Sequence, residues 1–548
     1  MKTGSDALGG ISVRADLDNL IAVGCFGVAC AIGLVGAFVG LDVSSFWLDE
    51  LFEAWINENG ISVSEFIARL VTDLHPPAYH VLVFLYSRVF GDSEVSLRSF
   101  SALCATGAIL LFIVATKSFF SLPARLFGAA MATGSFFWFY HAQNARGYSL
   151  SFVIGVGILA ISLSILAKRS QPDARLLPHL AGLAVLMLVG SFVHFYLMYE
   201  CLAVLIVLGY FCPRQRIVLI AFACVLLTVT GLYVKYVIEV FSQYSTTTNW
   251  IHGDPVWYAS QLRTAVIYSF TKKALLALAI CAGAFALQRL FVMRQLRLGW
   301  TVSLPPGAAA AAPKPGFLAL GRFPLDPETA LFVGVPGAER LVRAGANLAL
   351  SAIVLWMAIT MVAGRAKPWN EPFRESAEWI RSFPACRDRP ILIINAQPRA
   401  WFKPGYSEVL YADFYGNYLG NFAQPEVVFI EDIRAHKVPE DVKDYLRWRI
   451  DGNGCPILAW SIHLITEEEF AAAGQELLKA VGRPNAGRIV QTKVLRNGIE
   501  GFVLYAEGAS GPGQFSAGRD PGPPPSQRKT GPAPSPTRRA STPDPTPK

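Results

Sequence analysis

Charge is what this chain has least of. Only 16% of its 548 residues are Asp, Glu, Lys or Arg, against 53% hydrophobic, whereas roughly a quarter of a soluble domain is charged. With a mean hydropathy of +0.39, that shortfall excludes an ordinary soluble globule and points to a multi-spanning membrane protein. Other absences narrow the field. The nine cysteines form no CxxC pair, so neither a zinc knuckle nor a dithiol redox motif is present. Cys25, Cys30, Cys104, Cys201, Cys212, Cys224 and Cys281 lie in or at the ends of apolar runs, where a small packing residue is the ordinary role. No His, Cys, Asp and Glu cluster has metal-ligand spacing, so no metal is assigned, with a divalent cation left open. The net charge of +8 comes without any basic-aromatic module, which argues against nucleic acid as a partner. No internal repeat is evident.

What the sequence has in abundance is long apolar runs. Residues 20–41 carry no charge and are long enough to cross a bilayer core of about 30 Å as a helix rising about 1.5 Å per residue. The run exceeds the apolar core of a cleaved signal and similar segments follow it, so it reads as an uncleaved anchor. Further spans are predicted near 99–116, 126–140, 149–167, 180–194, 198–212, 217–238, 274–292 and 341–363. With a cytoplasmic N-terminus, the short inside loops carry Lys117 and Arg125, then Lys168, Arg169 and Arg175, then Arg214 and Arg216, then Arg289, Arg294 and Arg297. Their basic character favours this orientation. Residues 42–98 then form a large outside loop. Its segment 75–90 is too short to span and carries Arg88, as expected of helices lying on the membrane surface. Residues 301–340 read as a loop or a degraded span.

After residue 365 the pattern changes to alternating helices and short strands, with helices predicted at 371–383, 439–449 and 466–480. Strands are predicted at 390–394, 426–430, 456–460, 488–495 and 501–506. The expected organisation is a transmembrane domain over 1–365, a small soluble α/β domain over 366–507 on the outside, and a Pro/Gly-rich disordered tail over 508–548. Cys386 and Cys455 are the only cysteines of that α/β segment, each a few residues ahead of a strand beginning Pro-Ile-Leu. Parallel pairing of those strands would bring the two within disulfide reach in an oxidising compartment. An even number of spans would instead leave two free thiols in the cytoplasm.

The chemistry sits in the outside loops. WLDE at 47–50 places Asp49 and Glu50 side by side among Phe46, Trp47, Phe52 and Trp55, close to the lipid, where polar groups are costly unless used. LHPPAYH at 74–80, GDSEVSLR at 91–98 and FYHAQNARGYSL at 139–150 follow. In order and spacing, these four motifs resemble the polyprenyl-phosphate-dependent glycosyltransferases of the GT-C superfamily. The likeness is to the bacterial branch related to protein O-mannosyltransferases and to the transferase that adds aminoarabinose to lipid A. It covers the first 150 residues well, reaches 300 by general architecture, including FVHFYLMYE at 192–200, and fades beyond.

The resemblance implies an inverting transferase with a GT-C-like fold in the bacterial inner (plasma) membrane, its site facing the periplasm. Its donor would be a polyprenyl-phosphate sugar lipid and its acceptor a glycolipid, glycan or protein hydroxyl. The catalytic base of the first outside loop maps onto Asp49, with Glu50 beside it. That role fits the residue type, since a carboxylate near the acceptor hydroxyl can take its proton as the oxygen attacks. Arg146 suits the departing phosphate, because a guanidinium binds two of its oxygens at once. His75 is held out of helix by the prolines after it, and Gln143 and Tyr148 are further candidates for sugar or phosphate contacts. Lys235 and His194 are equally well explained by snorkelling and core packing. Relatives commonly carry Glu where this chain has Asn144, which weakens the case for a metal held between the loops. The rival function is a lipid-sugar flippase or transporter, but such proteins concentrate repeats and broken helices at mid-membrane. Here the polar density lies in the outside loops.

Overall fold

The computed structural model describes residues 6–73, 75–169, 173–244, 256, 259, 260, 263, 272–297, 336–364, 373–381, 392–395, 418, 426–451, 457–462, 467–482, 487–494 and 500–506. The fold is predominantly helical. Helix α1 (Asp6–Gly36) precedes three short helices, α2 (Leu48–Ile56), α3 (Val63–Leu70) and α4 (Ala78–Phe90). There follow α5 (Glu94–Ala115), α6 (Leu122–Thr133), α7 (Phe136–Ala142), α8 (Tyr148–Lys168), α9 (Asp173–Ser191), α10 (Phe195–Phe211), α11 (Arg216–Tyr244), α12 (Lys272–Arg297) and α13 (Pro336–Gly364). Among the described residues, four helical stretches are long and apolar enough to cross a membrane: Glu94–Ala115, Tyr148–Lys168, Pro213–Glu239 and Ala344–Gly364. Shorter apolar stretches include Leu20–Gly36, Arg175–Ser191, Leu197–Phe211 and Leu275–Ala284. The chain is a multi-pass helical membrane protein with a small α/β sheet toward its C-terminus.

By packing, the chain divides into two units: Met1–Leu41, Arg98–Thr230 and Gly253–Ala366 form one, and Asp42–Leu97, Gly231–His252 and Lys367–Lys548 the other. The first holds two helical cores. Phe26, Ala29, Ala105, Phe127, Ala130, Phe139, Val354 and Met357 join α1, α5, α6, α7 and α13, with the Phe26 and Phe127 rings 5.2 Å apart. Ile158, Ile165, Leu180, Leu183, Cys201, Leu205 and Leu219 join α8 to α11. The outward faces stay apolar, with Leu20, Val28 and Val35 of α1 and Ile206 and Tyr210 of α10 exposed. A helix that is apolar all round is one solvated by lipid.

The apolar run 126–140, read from sequence as one span, is broken. Helix α6 stops at Gly134 and α7 starts anew, capped by the Ser135 hydroxyl, which accepts from the Trp138 amide at 3.2 Å. Gly134, at the break, lies against Met357 of α13 and has no room for a side chain. Residues 298–335, which cover most of the ambiguous 301–340 segment, lie outside the described residues.

In the second unit, α2, α3 and α4 enclose a small core of Ile56, Phe66 and Phe84 flanked by Phe52, Trp55, Ile61 and Leu70. The Phe66 and Phe84 rings stack at 4.1 Å. Ser62 caps α3 by accepting from the Glu65 amide at 3.1 Å, Pro77 precedes α4, and Gly91 at φ +85° ends it. Helix α4 buries Tyr79, His80, Val83, Phe84 and Ser87 and exposes Val81, Leu82, Leu85, Val89 and Phe90. That exposed apolar face suits a membrane surface.

The same unit contains α14 (Phe373–Arg381), β1 (Leu392–Asn395), β2 (Glu426–Phe429), α15 (Ile430–Arg434), α16 (Glu440–Asp451), β3 (Ile457–Ile462), α17 (Glu467–Ala480), β4 (Gly487–Val494) and β5 (Glu500–Ala506). The sheet order is β2-β1-β3-β5-β4. Strands β2, β1 and β3 run parallel, with Leu392 opposite both Glu426 and Ala459, and β4 and β5 form an antiparallel pair on β3. Val428, Ile433, Val442, Tyr445, Leu446, Phe470 and Leu477 bury the helices against one face. β1 and β3 are thus parallel neighbours, but Cys386 and Cys455 lie outside the described residues.

Close helix approach in the first unit gives a direct test. A Cβ on Gly33 would come within 2.5 Å of the Thr133 Cβ, whereas at Gly27 it would meet nothing within 4 Å. Gly33→Leu should destabilise the protein by about 1–3 kcal/mol through overpacking, and Gly27→Leu should not. Thermal unfolding of both variants in detergent checks the contrast.

Candidate functional site

Where α1 ends, its last carbonyls need donors from elsewhere. Gln143 Nε2 supplies them to Gly36 (3.1 Å), Ala37 (3.3 Å) and Val39 (2.8 Å), and Arg98 Nη1 donates to the Leu41 carbonyl at 2.6 Å. Both side chains are buried. The amide that the sequence offered for sugar or phosphate at Gln143 is therefore committed inside the protein. Its neighbours form a tight turn between α7 and α8, in which the Arg146 amide donates to the Asn144 carbonyl at 2.8 Å. Asn144 and Ala145 are wholly buried and Arg146 is 3% exposed. Tyr148 opens α8 half-buried, its ring centroid 4.2 Å from that of His141 and 4.7 Å from that of His194. His194 is buried in this pile of rings, as a core histidine would be. Lys235 is exposed and faces Glu239 at 3.7 Å.

In the second unit, α2 carries three carboxylates within five residues. Asp49 and Glu50 stand in its first turn, where the helix dipole favours negative charge. Glu50 is wholly buried and accepts from the Trp47 amide at 3.3 Å, the N3 half of a capping interaction. Asp49 is half-buried and so keeps a route to solvent. Glu53, one turn on, is wholly buried and accepts from Asn57 Nδ2 at 2.8 Å.

Glu53 leads to a group of residues of which the sequence had singled out His75 alone. His80 of α4 sits 2% exposed between two carboxylates, with Nδ1 2.8 Å from Glu53 Oε2 and Nε2 2.8 Å from Asp73 Oδ2. Burial pushes the His80 imidazole down, but the two carboxylates outweigh it and hold its pKa up at about 9. Asp73, 5% exposed, is pushed up by burial and then held well below the usual carboxylate range by His80 and His75. His75 completes the line: its Nδ1 lies 2.9 Å from Asp73 Oδ1, its backbone amide donates to the same oxygen at 3.0 Å, and its side chain is 34% exposed. Among the described residues, no group of three or more His, Cys, Asp or Glu is arranged to hold a metal ion. Asp73 was legible two residues ahead of His75, but His80 reads as a core histidine in an apolar helix, and its pairing with Glu53 joins two helices, α2 and α4.

Two further contacts steady the entry to α2. The Phe46 amide donates to the Tyr418 hydroxyl at 2.7 Å, and that hydroxyl donates to Glu94, which also pairs with Arg374. The Phe373 amide donates to Ser45 Oγ at 3.0 Å.

The ion line makes a prediction about pH. The folded-state pKa of His80, about 9, lies above the ordinary 6.5, so the folded protein keeps a proton that the unfolded chain releases. The resulting stability is complete below about pH 6.5 and is lost as the pH rises through about 9. Thermal unfolding in detergent should weaken across that alkaline range, and the slope should shrink in His80→Leu. That variant leaves two buried carboxylates without their cation, at an expected cost of about 3–5 kcal/mol.

No family model and no curated protein matches the chain. Among solved structures the chain is similar to ArnT from Cupriavidus metallidurans bound to undecaprenyl phosphate, with 13% identity and a TM-score of 0.42 over 88% of this chain and 98% of that one. It is likewise similar to the same protein in its apo state, with 16% identity and a TM-score of 0.43 over 87% and 97% of the two chains.

Proposed function

We propose that the chain is a membrane glycosyltransferase of the GT-C kind, moving a sugar from a polyprenyl-phosphate donor to an acceptor hydroxyl at the periplasmic face of a bacterial inner membrane. The observation that carries this reading is the contrast on α2. Glu50 is buried as a cap and Glu53 is buried against His80, whereas Asp49, in the same first turn as Glu50, is half-buried. The four sequence motifs around it supply the reaction class.

In the proposed reaction Asp49 takes the proton of the acceptor hydroxyl as its oxygen attacks the anomeric carbon. The bond from that carbon to the phosphate oxygen breaks with inversion, and the electron pair leaves on the polyprenyl phosphate. Arg146, from the motif at 139–150, is the proposed partner for the charge developing there, since a guanidinium can bind two phosphate oxygens at once. Glu50 acts on geometry: its bond to the Trp47 amide fixes the first turn that presents Asp49.

Asp49→Asn keeps the shape and removes the base, so transfer by the purified protein with a polyprenyl-phosphate sugar should fall about 10²–10⁴-fold with thermal stability unchanged. Full activity in that variant would overturn the assignment. Glu50→Gln retains an acceptor for the Trp47 amide and should stay within a few-fold of wild type. Arg146→Lys keeps charge but loses the two-pronged contact, and its transfer rate should drop while the protein stays folded. A wild-type protein that moves the lipid-linked sugar across vesicles without transferring it would favour the flippase reading instead.

A further inference from the structure

The proposed reaction uses neither Asp73 nor His80, yet both are buried in an ionic line that reaches the surface at His75. Asp73 Oδ1 holds one residue twice, through the His75 amide at 3.0 Å and Nδ1 at 2.9 Å. Its Oδ2 faces His80 Nε2 at 2.8 Å, His80 Nδ1 faces Glu53 Oε2 at 2.8 Å, and Glu53 Oε1 accepts from Asn57 at 2.8 Å. Exposure rises along this line from 0% at Glu53 and 2% at His80 to 5% at Asp73 and 34% at His75. An ionised carboxylate can only accept, so the proton of the His75 ring toward Asp73 sits on Nδ1. A ring held through Nδ1 meets a ligand only through Nε2.

We propose that Asp73, braced by the buried Glu53–His80 pair, is a positioning residue that fixes the His75 imidazole so that Nε2 contacts the phosphate of the lipid donor. The inference rests on the glycosyltransferase reading of the same site. The brace matters because an aspartate alone in a turn could swing. With Oδ2 tied to an imidazolium between two helices, the carboxylate has one orientation, and the ring bonded to Oδ1 inherits it. A phosphate arriving at Nε2 then gives the ring an anionic acceptor at each nitrogen, and it binds with a proton on both. The double contact also holds the turn just ahead of Pro76 and Pro77, so backbone and side chain of His75 are set by one carboxylate.

A double-mutant cycle on the full-length protein in detergent tests this, reading both transfer kinetics and binding of polyprenyl phosphate. Asp73→Asn and His75→Ala should each raise the donor KM, and weaken polyprenyl phosphate binding, by about tenfold, with kcat within about threefold of wild type. The double variant should be no worse than His75→Ala alone, because Asp73 acts through the ring. Independent, multiplying losses in the cycle, or an unchanged KM in both single variants, would overturn the proposal. If Asp73→Asn does not accumulate in folded form, the cycle is run with Glu53→Gln, which should give a smaller loss that also vanishes in the His75→Ala background. A wild-type protein that neither binds polyprenyl phosphate nor transfers sugar would fail the glycosyltransferase reading and take this inference with it. A wild-type protein that does both, with an additive cycle, would fail this inference alone.

Discussion

The packing of α4 against α2 centres on His80, which lies buried 2.8 Å from a carboxylate on each side. Three helices of nine, eight and thirteen residues are each too short to be stable alone in water, and their shared core is little more than Ile56, Phe66 and Phe84 with a few flanking rings. His80 ties α4 to α2 through Glu53 and to the turn before Pro76 through Asp73, at 2.8 Å on both sides. Removing charges from water is costly, and such a pair rarely contributes much net stability over an apolar equivalent. What it supplies is register, because the loop cannot shift by a turn without stranding two buried carboxylates. His80 therefore holds α2, α4 and the turn at Asp73 in one register.

The α/β segment takes part in the same arrangement. The change of composition after residue 365 suggests a separate head, whereas by packing these residues belong with the loop at Asp42–Leu97. The bonds responsible are polar and few. Tyr418 takes the Phe46 amide and gives its own proton to Glu94, Arg374 closes on Glu94, and the Phe373 amide rests on Ser45. They hold residues 45 and 46, immediately before α2, so the sheet domain steadies the first turn that carries Asp49.

The spans and strands were legible because each follows from a local pattern. Strands at 392–395, 426–429 and 457–462 fall where short β-branched runs stood between turn residues, and the apolar helices follow the charge-free runs. Local pattern failed where its surroundings masked it or where tertiary contact decides. In the run 126–140 the helix-end pair Gly134 and Ser135 was hidden by the apolar character of its surroundings, although Ser135 caps α7 through the Trp138 amide. Gln143 looked like a ligand-binding amide because its role, capping α1, depends on carbonyls more than a hundred residues earlier. Asp49 and Glu50 stood out as adjacent acids among aromatics and His75 by the prolines after it, but Glu53 and His80 did not. Their meaning lies in each other, and they are brought together only when α2, α3 and α4 fold.

Charge balance on α2 bears on the proposal that Asp49 is the base. Three acidic side chains within five residues repel one another, and near lipid the repulsion is poorly screened. Glu53 is compensated by His80 at 2.8 Å, and Glu50 leans on the Trp47 amide at the positive end of the helix. Both acidic neighbours of Asp49 on α2 thus have fixed partners inside the fold. The dipole at the start of α2 then acts on Asp49 in the same sense in the resting and reacting protein. The His80 imidazolium, buried one turn deeper, compensates Glu53 behind the two adjacent acids that begin the helix, one of which is the base in the proposed reaction.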